Sequence, residues 1–208
     1  MKKDMYAYIM IIAVVSFLGF AVENIWLSFI KGFMDNRNMF FPFLLGYGLA
    51  VIGIFAVLGT PMEPRILGYT FNLTGSFSKL FVYFFLVMVS VSLGEIILGY
   101  SVELVCGMQW WDYTDLPLHF TRYTSVPTSA AFSLIITLFM RFCFMPLYKF
   151  FMSWDDSSLK VVALTIGIIM TADLLYNFTA MLIRGTTKRR WVIRIDDTRA
   201  VLRHIHAR

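Results

Sequence analysis

The sequence predicts an all-α membrane protein: a polytopic helix bundle with about five transmembrane helices and a basic C-terminal tail. Of the 208 residues, 59% are hydrophobic and 15% are charged, whereas soluble domains average about 45–50% and about 25%. Aromatic residues make up 17%, as is typical of lipid-facing and interfacial segments. A soluble core of this size could not cover so much apolar surface, so a soluble fold is excluded.

Apolar stretches long enough to cross a bilayer recur along the chain. A spanning helix needs roughly 20 mostly apolar residues. Five stretches qualify: Tyr6–Ile30, Phe40–Gly59, Leu80–Gly107, Val126–Phe150 and Val161–Ile183. The first follows Lys2 and Lys3 as a signal peptide would, but it contains Glu23 and no cleavage pattern, which favours a retained helix. Residues 60–79, with several Pro and Gly, are predicted to be a loop. No internal repeat or linker is evident, so residues 1–186 are predicted to form one transmembrane domain.

Five crossings would place the chain ends on opposite sides of the membrane. We define side X as the side reached after the first helix; it receives loop 31–39, loop 108–125 and the tail. Because most Lys and Arg residues fall on side X, the positive-inside rule predicts that side X is cytoplasmic. The tail, residues 187–208, is predicted to be a basic cytoplasmic segment with the pattern of an amphipathic helix, although "WVIRI" alternates like a strand. Its charge indicates an anionic lipid surface rather than a nucleic-acid partner.

Ionisable side chains interrupt the predicted helices. Each costs at least ~2.5–3.5 kcal/mol near the bilayer centre, and such residues usually face the protein interior and mark function. From the helical rise, Glu23, Glu103 and Asp173 are expected between the bilayer midplane and side X. Glu95 is expected close to the midplane, on the same broad face of its helix as Glu103. Two acids on one face favour proton exchange; the alternative for Glu95 is a structural ion pair with Arg141.

Motifs for soluble chemistry are missing from the sequence. It contains no P-loop, nucleophile elbow, H-E-x-x-H or G-x-G-x-x-G pattern. Its two cysteines lie in apolar runs without metal-ligand spacing. We therefore expect no metal site and no cofactor.

Three segments, "GFAVENIW", "NRNMFFPFLLGYGLAV" and "GEIILGYSVELVCGMQWWDYTDLP", resemble the bacterial membrane family labelled putative ABC-transporter permease of the CmpB type. The resemblance extends from about Gly19 to Ser133, and it implies a plasma-membrane transport component. The family pattern falls on Glu23, Asn36, Arg37, Pro42, Tyr47, Gly48, Glu95, Glu103, Trp111, Asp112 and Tyr113. Asn38 stands where the family has a glycine, and Arg122 is the best match for a later family arginine.

These patterns predict a permease-like protein that binds a small polar solute or a lipid head group at a carboxylate-rich site near side X. The predicted substrate-binding or proton-coupling residues are Glu23, Asn36, Arg37, Tyr47, Glu95, Glu103, Trp111, Asp112, Tyr113 and Arg122. In this hypothesis Glu95 and Glu103 carry protons or pair with cationic groups. Arg37 and Arg122 hold anionic groups, while the aromatic residues of "WWDYT" close over the site and its aspartate orients an arginine.

Two other functions fit the same sequence. One is a membrane enzyme acting on a lipid or isoprenoid substrate, with Glu103 or Asp112 as general acid or base. The other is a non-catalytic subunit whose polar cluster docks a partner helix. For the permease, five helices are few for a complete path and no Walker motif is present. The permease hypothesis therefore implies a homo-oligomer or a partner subunit such as an ATPase, in addition to the lipid bilayer.

Overall fold

Six α-helices make up most of the described chain, which confirms the predicted all-α bundle. The structure is a computed structural model that describes residues 2–186 and 189–194. The helices are α1 (Lys2–Ile30), α2 (Leu45–Leu58), α3 (Ser76–Cys106), α4 (Val126–Phe142), α5 (Phe144–Met152) and α6 (Asp156–Arg184). Short strands connect them: β1 (Phe33–Asp35), β2 (Gly59–Thr60), β3 (Glu63–Ile66), β4 (Tyr69–Thr70), β5 (His119–Thr121), β6 (Thr124–Ser125) and β7 (Val192–Arg194).

The number of membrane spans is smaller than predicted. Within the described residues, α1, α3 and α6 are long and apolar enough to cross a bilayer, and the bent pair α4 and α5 makes a fourth span if it is counted as one. The prediction of five spans is therefore wrong. The stretch Phe40–Gly59 is helical only over the 14 residues of α2, about 21 Å, which is shorter than the ~30 Å hydrocarbon core.

The segment before α2 is apolar but not helical, because α6 binds its backbone. The backbone N–H groups of Phe40 and Phe41 donate to the carboxylate of Asp173 at 3.0 and 2.9 Å. Pro42 follows, and the residue before a proline is disfavoured from the helical region. Hydropathy measures side chains only, so it does not detect this competition for the backbone.

The fourth predicted span is broken. A bend of 45° separates α4 from α5 at Cys143. Pro146, in the first turn of α5, has no N–H to donate, and its ring opposes the carbonyl of Phe142 four residues earlier. The proline accounts for the break. Hydropathy did not reveal the break because most of the residues on either side of the proline are apolar.

The connections carry small antiparallel sheets. The predicted loop 60–79 contains most of the three-stranded sheet β2-β3-β4. In the tail, β7 pairs with β1, with Met34 opposite Ile193. The described part of the tail thus contains a strand, as the alternation in "WVIRI" suggested. Residues 187–188 and 195–208 lie outside the described residues, and they include most of the predicted amphipathic helix.

The start of α1 and the described part of the tail lie at opposite ends of the bundle. Near the N-terminus, Lys3 forms an ion pair with Asp156 at the start of α6, with Nζ 2.7 Å from the carboxylate oxygen. At the other end of α1, β1 and β7 bring the segment after α1 together with the tail. Loop 31–39 and the described tail therefore share side X. That side X faces the cytoplasm stays a prediction.

Two helical hairpins have the same arrangement of a long helix, a connection and a shorter returning helix. In the first, α2 returns along α1, and it begins halfway along that helix, where the Leu44 N–H donates to the Ser16 carbonyl at 3.0 Å. In the second, α4 returns along α3, and Thr124, just before α4, contacts Glu95 near the middle of α3. In each hairpin, the connection therefore descends from side X to mid-depth before the returning helix starts. The main apolar core fills the half of the bundle away from side X and includes Ala7, Ile11, Tyr83, Phe144 and Leu159.

Candidate functional site

Glu23 on α1 is held by an arginine and a tyrosine from the connection and the returning helix of the first hairpin. Arg37 donates its Nε–H to Glu23 at 2.5 Å and forms an ion pair with it. The hydroxyl of Tyr47 donates to the other carboxylate oxygen at 2.6 Å. The tyrosine ring lies on Gly19, one turn before Glu23, where a Cβ atom would be 2.6 Å from Tyr47 Cγ. We call Gly19, Glu23, Arg37 and Tyr47 clamp A.

Glu103 on α3 has the same set of partners in the second hairpin. Arg122 donates to Glu103 at 3.0 Å, and the hydroxyl of Tyr123 donates to its other oxygen at 2.8 Å. The ring of Tyr123 lies against Gly99, one turn before Glu103, even more closely than in clamp A. We call Gly99, Glu103, Arg122 and Tyr123 clamp B. Each clamp contains one negative and one positive charge.

Buried polar side chains fix the shape of the connection that carries Arg37. The Asp35 N–H donates to the Asn24 side chain at 2.8 Å, and the Asp35 carboxylate accepts the Arg37 N–H at 2.9 Å. Asn36, almost fully buried, donates to the Met39 carbonyl at 2.8 Å. Asn36, a predicted site residue, therefore supports the connection through its contacts and is not a hydrogen-bond partner of Glu23.

The backbone of this connection explains one departure from the family pattern. Arg37 and Asn38 have φ angles of 46° and 65°, in the left-handed region that glycine adopts most easily. Asparagine is among the non-glycine residues best tolerated there. Asn38 can therefore keep the turn at the position where the family has a glycine.

Glu95, near the middle of α3, has hydroxyl partners. Thr124 donates to it at 2.8 Å and Ser129, on α4, at 3.2 Å. Among the described residues, no Lys or Arg forms an ion pair with Glu95. Arg141 is exposed in the last turn of α4, with its guanidinium 5.5 Å from the centre of the Phe142 ring. The alternative of a structural pair between Glu95 and Arg141 is therefore wrong.

Tyr113 links the two hairpins electrostatically. Burial raises the pKa of its hydroxyl, and the negative charges of Glu95 and then Glu23 raise it further. Its backbone N–H donates to the Arg122 carbonyl at 2.7 Å, which ties it to clamp B. The ring of Tyr47 lies 6.1 Å from that of Phe132 on α4. The negative charges of Glu95 on α3 and of Glu23 on α1 thus both act on Tyr113. That these carboxylates form one binding site stays a prediction.

The other two predicted residues of "WWDYT" lie above clamp B. Trp111 donates its Nε1–H to the Tyr123 carbonyl at 3.0 Å, and the two rings meet edge to face with their centres 5.5 Å apart. Asp112 is exposed and accepts the Thr114 N–H at 2.9 Å. The hydrogen bonds from Thr114 lower the pKa of Asp112, and the charge of Arg122 contributes less. Closure over the site and orientation of an arginine stay predictions for these residues.

Asp173 belongs to a separate polar cluster on α6. Besides the Phe40 and Phe41 backbone, it accepts a hydrogen bond from Asn177 at 2.6 Å. Arg190 of the tail donates to the Asn177 side chain at 2.8 Å, and its guanidinium lies 3.4 Å from the centre of the Phe40 ring. Asp173 therefore holds the connection directly and the tail through Asn177, and its hydrogen-bond partners differ from those of Glu95.

A surface depression of about 430 Å³ lies away from these carboxylates. Its lining residues come from one face of α6: Leu175, Tyr176, Thr179, Ala180, Ile183 and Arg184. It contains none of the predicted site residues. Most of this face is exposed and apolar, as expected for a helix surface in contact with lipid.

The family described as "Putative ABC-transporter type IV" matches residues 10–178. The chain belongs to this family. The match includes both clamps and Glu95, and it confirms the resemblance seen in the sequence. Together with the long apolar helices, it makes the chain a multi-pass membrane protein of the ABC-transporter type. Comparison with curated proteins and with solved structures returned no match.

In this ABC-transporter type IV chain, the contacts with the glutamates involve three residues that the sequence-based prediction did not include: Tyr123, Thr124 and Ser129. A signal was present, because "TRYTSVPTS" is rich in hydroxyl side chains immediately before an apolar helix. Polar groups in that position usually have partners within the membrane protein. The sequence did not indicate which partners.

Proposed function

We propose that this chain is the permease-type component of a transporter and that it binds a small polar solute or a lipid head group between its two hairpins. The supporting observation is Glu95: a carboxylate at mid-depth whose contacts are hydroxyl groups. An ionisable residue at this depth costs at least ~2.5–3.5 kcal/mol, and such residues mark substrate or proton pathways. We therefore assign Glu95 to a ligand or a proton rather than to stability.

The position of Glu95 fits such a site. In transporters built from repeated helical units, substrate sites lie near the midplane between the units. Glu95 is near the middle of α3, and the side chains of Tyr113, Tyr47 and Phe132 lie at the boundary between the hairpins. A solute bound here would contact carboxylate, hydroxyl and aromatic groups, a common composition for small-molecule sites.

Transport would need a second subunit. The sequence has no Walker motif, so ATP-driven transport requires a nucleotide-binding partner. Three, or up to four, helices among the described residues are able to span the membrane. One copy alone therefore has few helices with which to line a translocation pathway. We propose an assembly with an ATPase, another copy, or both, and we place the tail on the cytoplasmic side where an ATPase would bind.

Bound small molecules test this proposal. The full chain is transferred from its host membrane directly into nanodiscs, and solvent extracts are compared by mass spectrometry between the unchanged chain, Glu95→Gln and the control Glu63→Gln. Glu63 is an exposed carboxylate on β3, distant from both clamps. We expect a stoichiometric compound that Glu95→Gln loses and Glu63→Gln keeps. Equal retention in Glu95→Gln would contradict the proposal, and a chemically altered lipid would favour the enzyme.

A further inference from the structure

The two hairpins carry a matching hexapeptide. "LGFAVE" occupies residues 18–23 at the side-X half of α1, and "LGYSVE" occupies residues 98–103 at the corresponding part of α3. Leu, Gly, Val and Glu coincide, and the two differences are Phe to Tyr and Ala to Ser. The expectation that the chain lacks an internal repeat is therefore wrong: the repeated segment is short, and the intervening loops differ in length.

The contacts of the two hexapeptides match as well. In each, the glycine receives a tyrosine ring, and the tyrosine hydroxyl donates to the glutamate one turn later. In each, an arginine of the following connection pairs with that glutamate. In each, a shorter helix then starts near mid-depth and runs back antiparallel. α1–α2 and α3–α4 are thus two copies of one unit in the same orientation, the arrangement of parallel repeats in transporters.

Comparison of the two units separates Glu95 from the clamps. Glu95 lies eight residues before Glu103, and the residue eight before Glu23 is Val15. Val15 is buried and belongs to the apolar core. Both units therefore keep the clamp, whereas only the second unit has a carboxylate at mid-depth. The clamp occurs in both units because each unit has to hold a connection that descends to mid-depth. Glu95 occurs in one unit only, so its presence needs a separate explanation.

The charges around the site determine which ligands Glu95 suits. Arg37 is paired with Glu23 and lies 3.8 Å from Asp35, which also pairs with Arg189, and Arg122 is paired with Glu103. Neither arginine is free to hold an anionic group, as the sequence-based hypothesis had assigned, without breaking a clamp. Among the paired groups of the two clamps the charges cancel, and Glu95 adds one negative charge when ionised. A cation would compensate that charge, whereas an anion would add to it.

The surroundings of Glu95 suit an organic cation better than a metal ion. Its hydrogen-bonding neighbours are hydroxyls, and the described residues contain no group of three or more His, Cys, Asp or Glu that could hold a metal. Tyr113 lies within electrostatic reach, and Phe132 is one turn beyond Ser129. Carboxylate, hydroxyl and aromatic groups together recognise ammonium groups by charge, hydrogen bonds and cation–π contact.

We propose that Glu95 binds the ammonium group of an organic cation between the two hairpins, and that clamps A and B are duplicated supports that position the connections around it. This inference rests on the proposed function and specifies its substrate class. The ammonium group could belong to a free amine or to a lipid head group such as ethanolamine, and the experiment distinguishes the two sources.

The binding experiment uses the full chain in nanodiscs of uncharged glycolipids, whose head groups contain neither choline nor any other amine. Ethanolamine and methylammonium are titrated calorimetrically, with acetate and phosphate as anionic probes. In a second arm, native mass spectrometry compares retention of phosphatidylethanolamine and phosphatidylglycerol from mixed vesicles. We expect the cations or the ethanolamine lipid to bind, and Glu95→Gln to weaken that binding at least about tenfold, as loss of a charged hydrogen-bonding partner implies.

Variants of the clamps provide the comparison. Glu23→Gln and Glu103→Gln should lower the melting temperature while weakening cation binding less than Glu95→Gln does. Glu63→Gln, on the exposed strand β3, should change neither. If Glu95→Gln does not fold, Glu95→Asp keeps the charge and should retain cation binding, and Thr124→Val removes one hydroxyl contact with similar volume and should weaken it.

Each outcome decides a different statement. Binding of acetate or phosphate that Arg37→Gln or Arg122→Gln abolishes would overturn the cation inference but leave the proposed binding function intact. Cation binding that is equal in the unchanged chain and in a folded Glu95→Gln variant would also overturn it. Binding of none of the probes, together with no compound in the nanodisc extracts, would overturn the proposed function as well.

Discussion

At the scale of single residues, two glycines determine where two carboxylates point. Gly19 and Gly99 leave room for tyrosine rings that would collide with any Cβ atom. Each ring then holds its hydroxyl against the glutamate on the next turn. Small residues let membrane helices and their connections approach closely. Here that close approach orients a charge, so a glycine without any polar side chain controls the geometry of each clamp.

We predict that Gly99→Ala destabilises the protein by ~1–3 kcal/mol, because the added methyl group overlaps the Tyr123 ring and overpacking costs about this much. Gly94→Ala is the matched control: it lies on the same helix with open space around its Cβ position. There the change should be neutral or stabilise by about 0.5–1 kcal/mol, since alanine is the better helix former. Unfolding of both variants in mixed micelles measures the difference. Equal stability would show that the Tyr123 ring can move aside freely.

At the scale of elements, the ends of helices matter as much as their apolar content. α6 begins after Asp155, whose side chain accepts the Ser158 N–H at 2.9 Å. α2 and α4 begin at mid-depth, where non-helical connections replace the half helices that would have completed two spans. At α4 and α6, a polar side chain caps the first turn and so marks where the helix starts.

The cap of α6 gives a prediction about pH. Hydrogen bonds from Ser158 lower the pKa of Asp155 from its ordinary value of 3.8. Because the folded-state pKa is lowered, the stabilisation is complete above that ordinary value and is lost as the pH falls through the lowered value. We expect Asp155→Ala to reduce the hydrogen-exchange protection of the Ser158 amide at pH 6, with the difference from the unchanged chain vanishing in stronger acid.

The control for this prediction is Asp115→Ala, which removes an exposed carboxylate from the side-X loop, at the opposite end of the bundle from Ser158. It should leave the Ser158 amide unchanged at every pH. A difference between Asp155→Ala and the unchanged chain that stays constant down to the lowest pH would mean that the cap does not act through the ionised carboxylate.

At the scale of the whole molecule, contacts between distant segments fix which connections share a side of the membrane. Lys3 reaches the start of α6, and β1 pairs with β7. The hairpins return the chain to the N-terminal side each time, even though α2 is too short to span alone. Loop 31–39 and the described part of the tail therefore share one side although the number of spans is smaller than predicted.

Labelling of single cysteines tests this arrangement. In a background with Cys106→Ser and Cys143→Ser, we introduce cysteine at four exposed positions: Lys31, Glu63, Asp115 and Ser157. A membrane-impermeant maleimide should label the first and third from one side and the second and fourth from the other. Inverted vesicles should show that Lys31 and Asp115 face the cytoplasm. Labelling of Lys31→Cys and Ser157→Cys from the same side would contradict the arrangement.

Much of the site could be predicted, residue by residue, because a charge in an apolar helix stands out. Glu23, Glu95 and Glu103 were identified this way, and Tyr47 and Arg37 through the family pattern. Their pairing could not be predicted: Arg122 approaches Glu103 only because the connection descends, and Arg141 stays on the surface although it occurs in an equally apolar stretch. The partner of each ion pair depends on the path of the non-helical connections, and side-chain hydropathy carries no information about that path.

The sequence by itself determined that the chain lies in a lipid bilayer rather than in water, since the transfer free energies of side chains add along a chain whatever its tertiary structure. It also determined the family and the two matching hexapeptides that mark the units. The tertiary structure decided the lengths of the spans, because Asp173 binds the backbone of Phe40 and Phe41 before that segment can form a helix. It also decided that Glu23 and Glu103 have arginine partners whereas Glu95 has none among the described residues, because the folded connections bring Arg37 and Arg122 to the first two carboxylates.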